Sequence, residues 1–224
     1  MEHPASFDYT DQKRILRRLA RSRRAALSAT EREAATHAIN QRLQTMFSGV
    51  QWSADALVAV YLAKGDEANI DECARWLLEA GVHVVAPRGG GEHMPFYSLD
   101  PEWNHLVVGE FGVRQPAIWN GGRAVDPEAV SIVLVPGLAF DLGGNRLGQG
   151  AGWYDKVLSR APQALKIGIA FEAQILPQVP HEAHDLAMDG WVTESRLVDV
   201  ADRIQSTLSE DYGSQQIAAS GVGH

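Results

Sequence analysis

Five glycines crowd residues 143 to 152, with Arg146 inside the stretch and Asp155 three residues past Gly152. Such spacing lets backbone N–H groups approach an anion closely. A guanidinium there can make forked contacts to phosphate, and a carboxylate beside the same oxygens can hold Mg²⁺. The implied chemistry is nucleotide binding. The stretch is not a P-loop, because no Gly-Lys-Ser/Thr follows, and Gly148-Gln149-Gly150 lacks the third glycine of the dinucleotide fingerprint. By glycine content alone it reads equally as a mobile surface loop. A capping or lysine-paired Asp155 is the plain structural alternative.

A second group of candidates is basic. Lys13, Arg14, Arg17, Arg18, Arg21, Arg23 and Arg24 follow one another with no acid among them, in a chain whose net charge is −8. They suit an anionic ligand, nucleic acid or a solvated helix face. An organellar transit peptide is a poor fit, given Glu2, Asp8 and Asp11. A third group, His181-Glu182-Ala183-His184-Asp185, has ligands for a transition metal but not the His-Glu-x-x-His spacing. It follows Pro180 and reads as a loop rather than a zinc site. The single cysteine, Cys73, excludes an internal disulfide and fits a reducing compartment; its place in an amphipathic helix favours a small buried hydrophobe over a nucleophile.

The elements that must position these residues alternate in type. Ile15, Leu16, Leu19 and Ala26 keep a helical stripe between residues 11 and 27. Ser28-Ala29-Thr30-Glu31 has the spacing of a capping box, and Ala35, Ile39, Leu43 and Met46 continue a second helix as far as Gly49. The apolar run 56–62 reads as a strand covered on both faces, as do 82–86 and 131–135. A helix is predicted over 70–80, closed by Gly81, another over 152–160, a strand over 166–171 and a final helix over 197–208. Met94 to Leu99 suggests an edge strand, and the glycines at 89–91 and 121–122 mark turns. Strands alternating with helices imply a mostly parallel, helix-covered sheet. The glycine loop then leaves the carboxyl end of a buried strand, where open α/β sheets collect ligands.

With 224 residues and 45% hydrophobic composition, one compact domain is expected over 11–209, with an extension over 1–10 and a disordered tail over 210–224. No run of about 18 apolar residues suggests a spanning helix, and no secretory signal is evident, so a cytosolic location is expected.

The segment Val135-Pro136-Gly137-Leu138-Ala139-Phe140-Asp141, followed by Arg146-Leu147-Gly148-Gln149-Gly150-Ala151-Gly152-Trp153-Tyr154-Asp155, resembles the signature of 5-formyltetrahydrofolate cyclo-ligases. The Lys13-x-x-x-Arg17 helix, Phe111-Gly112-Val113-Arg114-Gln115-Pro116, and a block from Ile167 through Val179-Pro180, His184-Asp185 and Asp189 to Glu194 are similar to further parts of that family. The resemblance covers about residues 11 to 200. It implies a single three-layer α/β domain and the conversion of 5-formyltetrahydrofolate and MgATP to 5,10-methenyltetrahydrofolate, ADP and phosphate. It also implies that Lys13, Arg17 and the run from Arg146 through Leu147, Gly148, Gln149, Gly150, Ala151, Gly152 and Trp153 to Tyr154 hold ATP. Lys64, Glu67 and Asn69, with Gln149 through Trp153, would hold the folate. Arg146, Tyr154 and Asp155 would be catalytic, and Asp155 and Asp189 would take Mg²⁺. Phe96, Tyr97, Trp153 and Tyr154 offer aromatic faces for the pterin or aryl group. The implied partner is a small-molecule folate rather than nucleic acid or a membrane, and the implied assembly a monomer or small homo-oligomer.

Asn69 and Ile70 depart from an acid and a threonine usual in that family, and Gln115 from a glutamate, which would remove negative charge on the folate side. An ATP-dependent ligase of the same scaffold acting on another formylated or carboxylated compound is therefore the alternative. RNA binding by the basic helix is a second.

Overall fold

The computed structural model describes residues 9–89, 95–100, 102–109, 112–118, 122–182 and 185–209. Residues 1–8 and 210–224, on which the terminal extension and tail were placed, lie outside that range, as do Gly90, Gly91, Met94, Phe111, Asn120, Gly121 and His184.

Two helices open the chain, α1 over Tyr9–Ala26 and α2 over Ala29–Phe47. The capping box between them forms as the sequence indicates: the Ser28 hydroxyl accepts the Glu31 N–H at 3.2 Å, and the Glu31 carboxylate accepts the Ser28 N–H at 2.8 Å. Among the described residues the main sheet has eight strands. Five are parallel, in the spatial order β11 (Gly190–Val192), β10 (Leu165–Ile169), β7 (Ile132–Pro136), β1 (Leu57–Ala59) and β2 (His83–Pro87). Antiparallel strands finish both sides, β12 (Leu197–Asp199) beside β11, and β3 (Phe96–Ser98) then β6 (Ala124–Val125) beside β2.

Strand alternation splits the core into two layers. Val58, Val84, Ile132, Leu134 and Ile167 face α2, α3 (Asp71–Glu79) and Ile204 of α5 (Arg203–Ser209); Ala59, Val85, Val133 and Val135 face Val157 and Leu158 of α4 (Trp153–Ser159). The central strands β1 and β7 are apolar throughout because both faces are covered. A fully buried side chain such as Phe47 or Leu134 contributes about 1.5–3 kcal/mol. Among the described residues no helix is long and apolar enough to cross a membrane.

Three sequence expectations change. The helix expected over 197–208 is preceded by strand β12, since Asp199 ends the strand and its carboxylate caps α5 by accepting the N–H groups of Ile204 and Gln205, both at 2.9 Å. Strand β3 is not an edge, because β6 pairs with its free side. The first helix begins at Tyr9, inside the proposed extension.

Candidate active site

Beyond β7 the chain folds back on itself as the hairpin β8 (Ala139–Phe140) and β9 (Arg146–Leu147). Asp141 organises its turn. Its carboxylate, on a residue 4% exposed, accepts the N–H groups of Gly143 at 2.9 Å, Asn145 at 3.0 Å and Val179 at 2.8 Å. Gly144 has φ +80°, and a Cβ there would stand 2.4 Å from the Met188 carbonyl oxygen, so only glycine fits. The hairpin presents the remainder of the loop to the solvent side of β7's carboxyl end.

Helix α1 packs Ala20 against Leu138, Ala139 and Leu147 of this hairpin. Residues three and four apart then share a face, and the basic segment divides accordingly. Lys13 donates to Glu182 at 2.8 Å and Asp185 at 2.5 Å; Arg17 donates to the Gly148 carbonyl at 3.0 Å; Arg21 donates to the Gln149 side chain at 2.9 Å; Arg24 pairs with Asp66 at 2.7 Å. Arg14, Arg18 and Arg23 are exposed and form the solvated face.

Two cavities meet at the loop. The first, about 460 Å³, is polar and is lined by Lys13, Arg17 and every residue from Arg146 to Asp155, together with Glu67, Glu182 and Asp185. The second, about 950 Å³, lies between the loop and the carboxyl ends of β1 and β2, where Tyr61, Leu62, Lys64, Glu67, Pro87, Arg114 and Gln115 line it. Glu67, Pro136, Gln149, Ala151, Trp153 and Tyr154 border both. The arrangement can hold a polyanion against a flatter, partly apolar molecule across one shared wall.

The electrostatics of that wall are set by burial. The Arg146 side chain is 5% exposed and donates to Asp155 at 2.8 Å, while its guanidinium stands 5.6 Å from the centre of the Tyr154 ring. Trp153 meets Tyr154 edge-on at 4.6 Å. Burial pushes the Tyr154 hydroxyl far above its usual value, so it remains a neutral donor. Burial also raises the Glu67 carboxyl, against the opposing Lys64 N–H and Arg24 charge. Burial works against a charged Lys13, but the hydrogen bonds and charges of Asp185 and Glu182 prevail and hold its amine above the ordinary lysine value.

Other candidates stand apart. Asp189 cannot share an ion with Asp155: it lies at the amino end of the parallel strands, where it accepts the Lys166 N–H at 2.8 Å and a bond from Arg203 at 2.6 Å. The second aspartate in the polar cavity is Asp185, four residues earlier. Asn69 lines neither cavity; its side-chain oxygen accepts the Asp71 N–H at 2.8 Å at the start of α3, and Ile70 is buried in the core. The change from an acid at 69 thus removes no charge from the lining of either cavity. Gln115 does face the second cavity, where its side-chain oxygen accepts the Gly89 N–H at 2.9 Å. Phe96 is core, and Tyr97 lies under Arg88 at 5.8 Å; neither lines the two cavities. Sequence reasoning passed over Arg24, Tyr61, Leu62 and Arg114 as site residues, since they converge from separate elements. Glu182 was visible only within a weak metal motif, whereas His184-Asp185 already stood out as part of the block that resembles the family's C-terminal part. Cys73 is fully buried in α3, its thiol pushed up to about 12 by burial, as a hydrophobe rather than a nucleophile. Among the described residues no group of three or more metal-ligating side chains is found.

The fold agrees with that of a known protein to which the chain is similar. The profile of the 5-formyltetrahydrofolate cyclo-ligase family matches residues 9–194. The mouse 5-formyltetrahydrofolate cyclo-ligase is 29% identical over 202 residues, which cover 83% of this chain and 95% of that protein. The enzyme of the same name from Mycolicibacterium smegmatis is 32% identical over 165 residues, covering 70% and 82%. The NMR structure of 5,10-methenyltetrahydrofolate synthetase from Aquifex aeolicus superposes with a TM-score of 0.73 at 30% identity, covering 85% of this chain and 93% of the other. The chain belongs to the 5-formyltetrahydrofolate cyclo-ligase family.

Proposed function

We propose that the two cavities divide the two substrates of the family's reaction, ATP in the polar cavity and the folate in the larger one, with the shared wall between their reacting ends. The enzyme is a ligase, and its reaction is the ATP-dependent cyclisation of 5-formyltetrahydrofolate to 5,10-methenyltetrahydrofolate. A formyl oxygen on N5 is a poor leaving group. Its attack on the γ-phosphorus releases ADP and makes an imidate-phosphate; N10 then attacks the formyl carbon, loses its proton and expels phosphate. No protein nucleophile is needed, so the protein supplies positioning and neutralisation of phosphate charge.

The observation that carries the division is the border the two cavities share, formed by Gln149, Ala151, Trp153 and Tyr154 with Glu67 and Pro136, where both occupants would touch. On the ATP side we assign Lys13, Arg17 and Arg146 to the phosphates, with loop N–H groups behind them. Tyr154 stays a neutral donor beside Arg146. On the folate side we assign Lys64, Glu67 and the face of Trp153. Mg²⁺ is commonly held by one or two carboxylates plus phosphate oxygens, and Asp155 and Asp185 of the polar cavity fit that donor set. When bound, the ion neutralises phosphate charge.

The inward contacts of Lys13, Arg17 and Arg21 favour a nucleotide over RNA as the anion read by α1. Both cavities are completed by one chain, which supports action as a monomer or small homo-oligomer, and the lone buried thiol supports the cytosol as its compartment.

Purified protein given 5-formyltetrahydrofolate, ATP and Mg²⁺ is expected to develop the near-ultraviolet absorbance of the methenyl product. ATP binding without any product would overturn the folate assignment, and Gln115 then favours another formylated or carboxylated substrate.

A further inference from the structure

A cavity built for a polyanion ought to be basic, and this one is not. Its cations Lys13, Arg17 and Arg146 are matched by three carboxylates, Asp155, Glu182 and Asp185, even before the shared Glu67 is counted. Two of the three are explained locally. Asp155 holds the buried Arg146, and Asp185 braces its loop by accepting the Glu182 N–H at 2.8 Å. Glu182 has no such task. Its side chain is 42% exposed, and among the described residues its carboxylate meets only the Lys13 amine, at 2.8 Å, which Asp185 already neutralises at 2.5 Å. The second acid on Lys13 therefore adds negative charge where phosphate must arrive and gives the fold little in return.

We infer that Glu182 is a specificity-determining residue that makes the polar cavity select the metal complex of ATP over the bare nucleotide; this rests on ATP occupying that cavity. Bare ATP carries about −4 near neutral pH and its magnesium complex about −2, so a fixed negative charge repels the former about twice as strongly on a free-energy scale. Replacing Glu182 by glutamine keeps the side chain's size and removes the charge.

The test is equilibrium binding by titration calorimetry of ATP in excess chelator and of ATP in excess Mg²⁺, to the parent protein and to Glu182→Gln. The expected result is that bare ATP binds about tenfold more tightly to the variant while MgATP gains about threefold or less, which narrows the parent's preference. Glu182→Asp should restore that preference. Equal shifts for both ligands, or weaker binding of both by a variant that melts like the parent, would reduce Glu182 to an ordinary partner of Lys13 and overturn the inference. Absence of ATP binding by the parent under both conditions would instead overturn the cavity assignment and this inference with it.

Discussion

Arg146 and Asp155 satisfy each other at 2.8 Å, yet the pair is unequal: the arginine is 5% exposed and the aspartate 27%. The Arg146 Nε has no partner among the described residues, so the guanidinium is held by one bond and the Tyr154 face and keeps donors in reserve. The same contrast between burial and partners governs Glu67. Its folded pKa is raised above the ordinary 4.5, chiefly by burial. The folded chain therefore holds this proton more tightly than the unfolded chain, and stability falls as pH rises from 4.5 through the folded value. Glutamine never ionises and escapes that loss. Glu67→Gln is expected to melt with the parent near about pH 4 and above it at about pH 7 to 8, while turnover of the folate drops. Melting curves across that range decide it; a gain independent of pH would contradict the buried, proton-retaining carboxyl.

At the scale of elements, the loop stands on one side chain. Asp141→Ala removes the acceptor of three backbone N–H groups, of which that of the fully buried Val179 cannot turn to water. At about 1–3 kcal/mol for a buried unpaired donor, plus the loss of two partly exposed bonds, the variant should lose about 3 kcal/mol in denaturant unfolding. A loss under about 1 kcal/mol would show that the hairpin β8–β9 holds without its clamp. The sequence made this region legible because the loop is contiguous: glycines, Arg146 and Asp155 lie within thirteen residues of one another and declare their chemistry together. The capping box before α2 and the apolar runs of β2 and β7 were legible for the same local reason. What required the fold was convergence. Asp185 and Asp189 look interchangeable in the sequence, but four extended residues span roughly 13 Å, enough to carry the second to the far end of the sheet. Asn69 resembled a substrate ligand because it sits two residues from Glu67, whereas its side chain is taken up by the Asp71 N–H at the start of α3.

For the whole molecule, the proposed ATP and folate sites share a wall but rest on different outer elements, and this predicts separable defects. On the ATP side, α1 delivers Arg17 to the Gly148 carbonyl and the polar cavity. On the folate side, a small hairpin of β4 (Leu106–Val108) and β5 (Arg114–Pro116) closes the larger cavity, tied down by Arg114 donating to both Asp71 carboxylate oxygens, at 2.7 and 3.0 Å. A bidentate pair fixes orientation as well as contact, so Arg114→Ala should free the hairpin and raise the KM for folate about tenfold with the Kd for ATP unchanged. Arg17→Ala should do the reverse, weakening ATP about tenfold with little change in folate KM, since a charged contact to phosphate is lost while the folate wall stays in place. Steady-state kinetics with each substrate varied, beside direct ATP binding, separates the two. If either variant harmed both substrates alike, the strip formed by Gln149, Ala151, Trp153 and Tyr154 would have to move as one body with both outer elements, and the division of the site into two cavities would give way to a single coupled pocket.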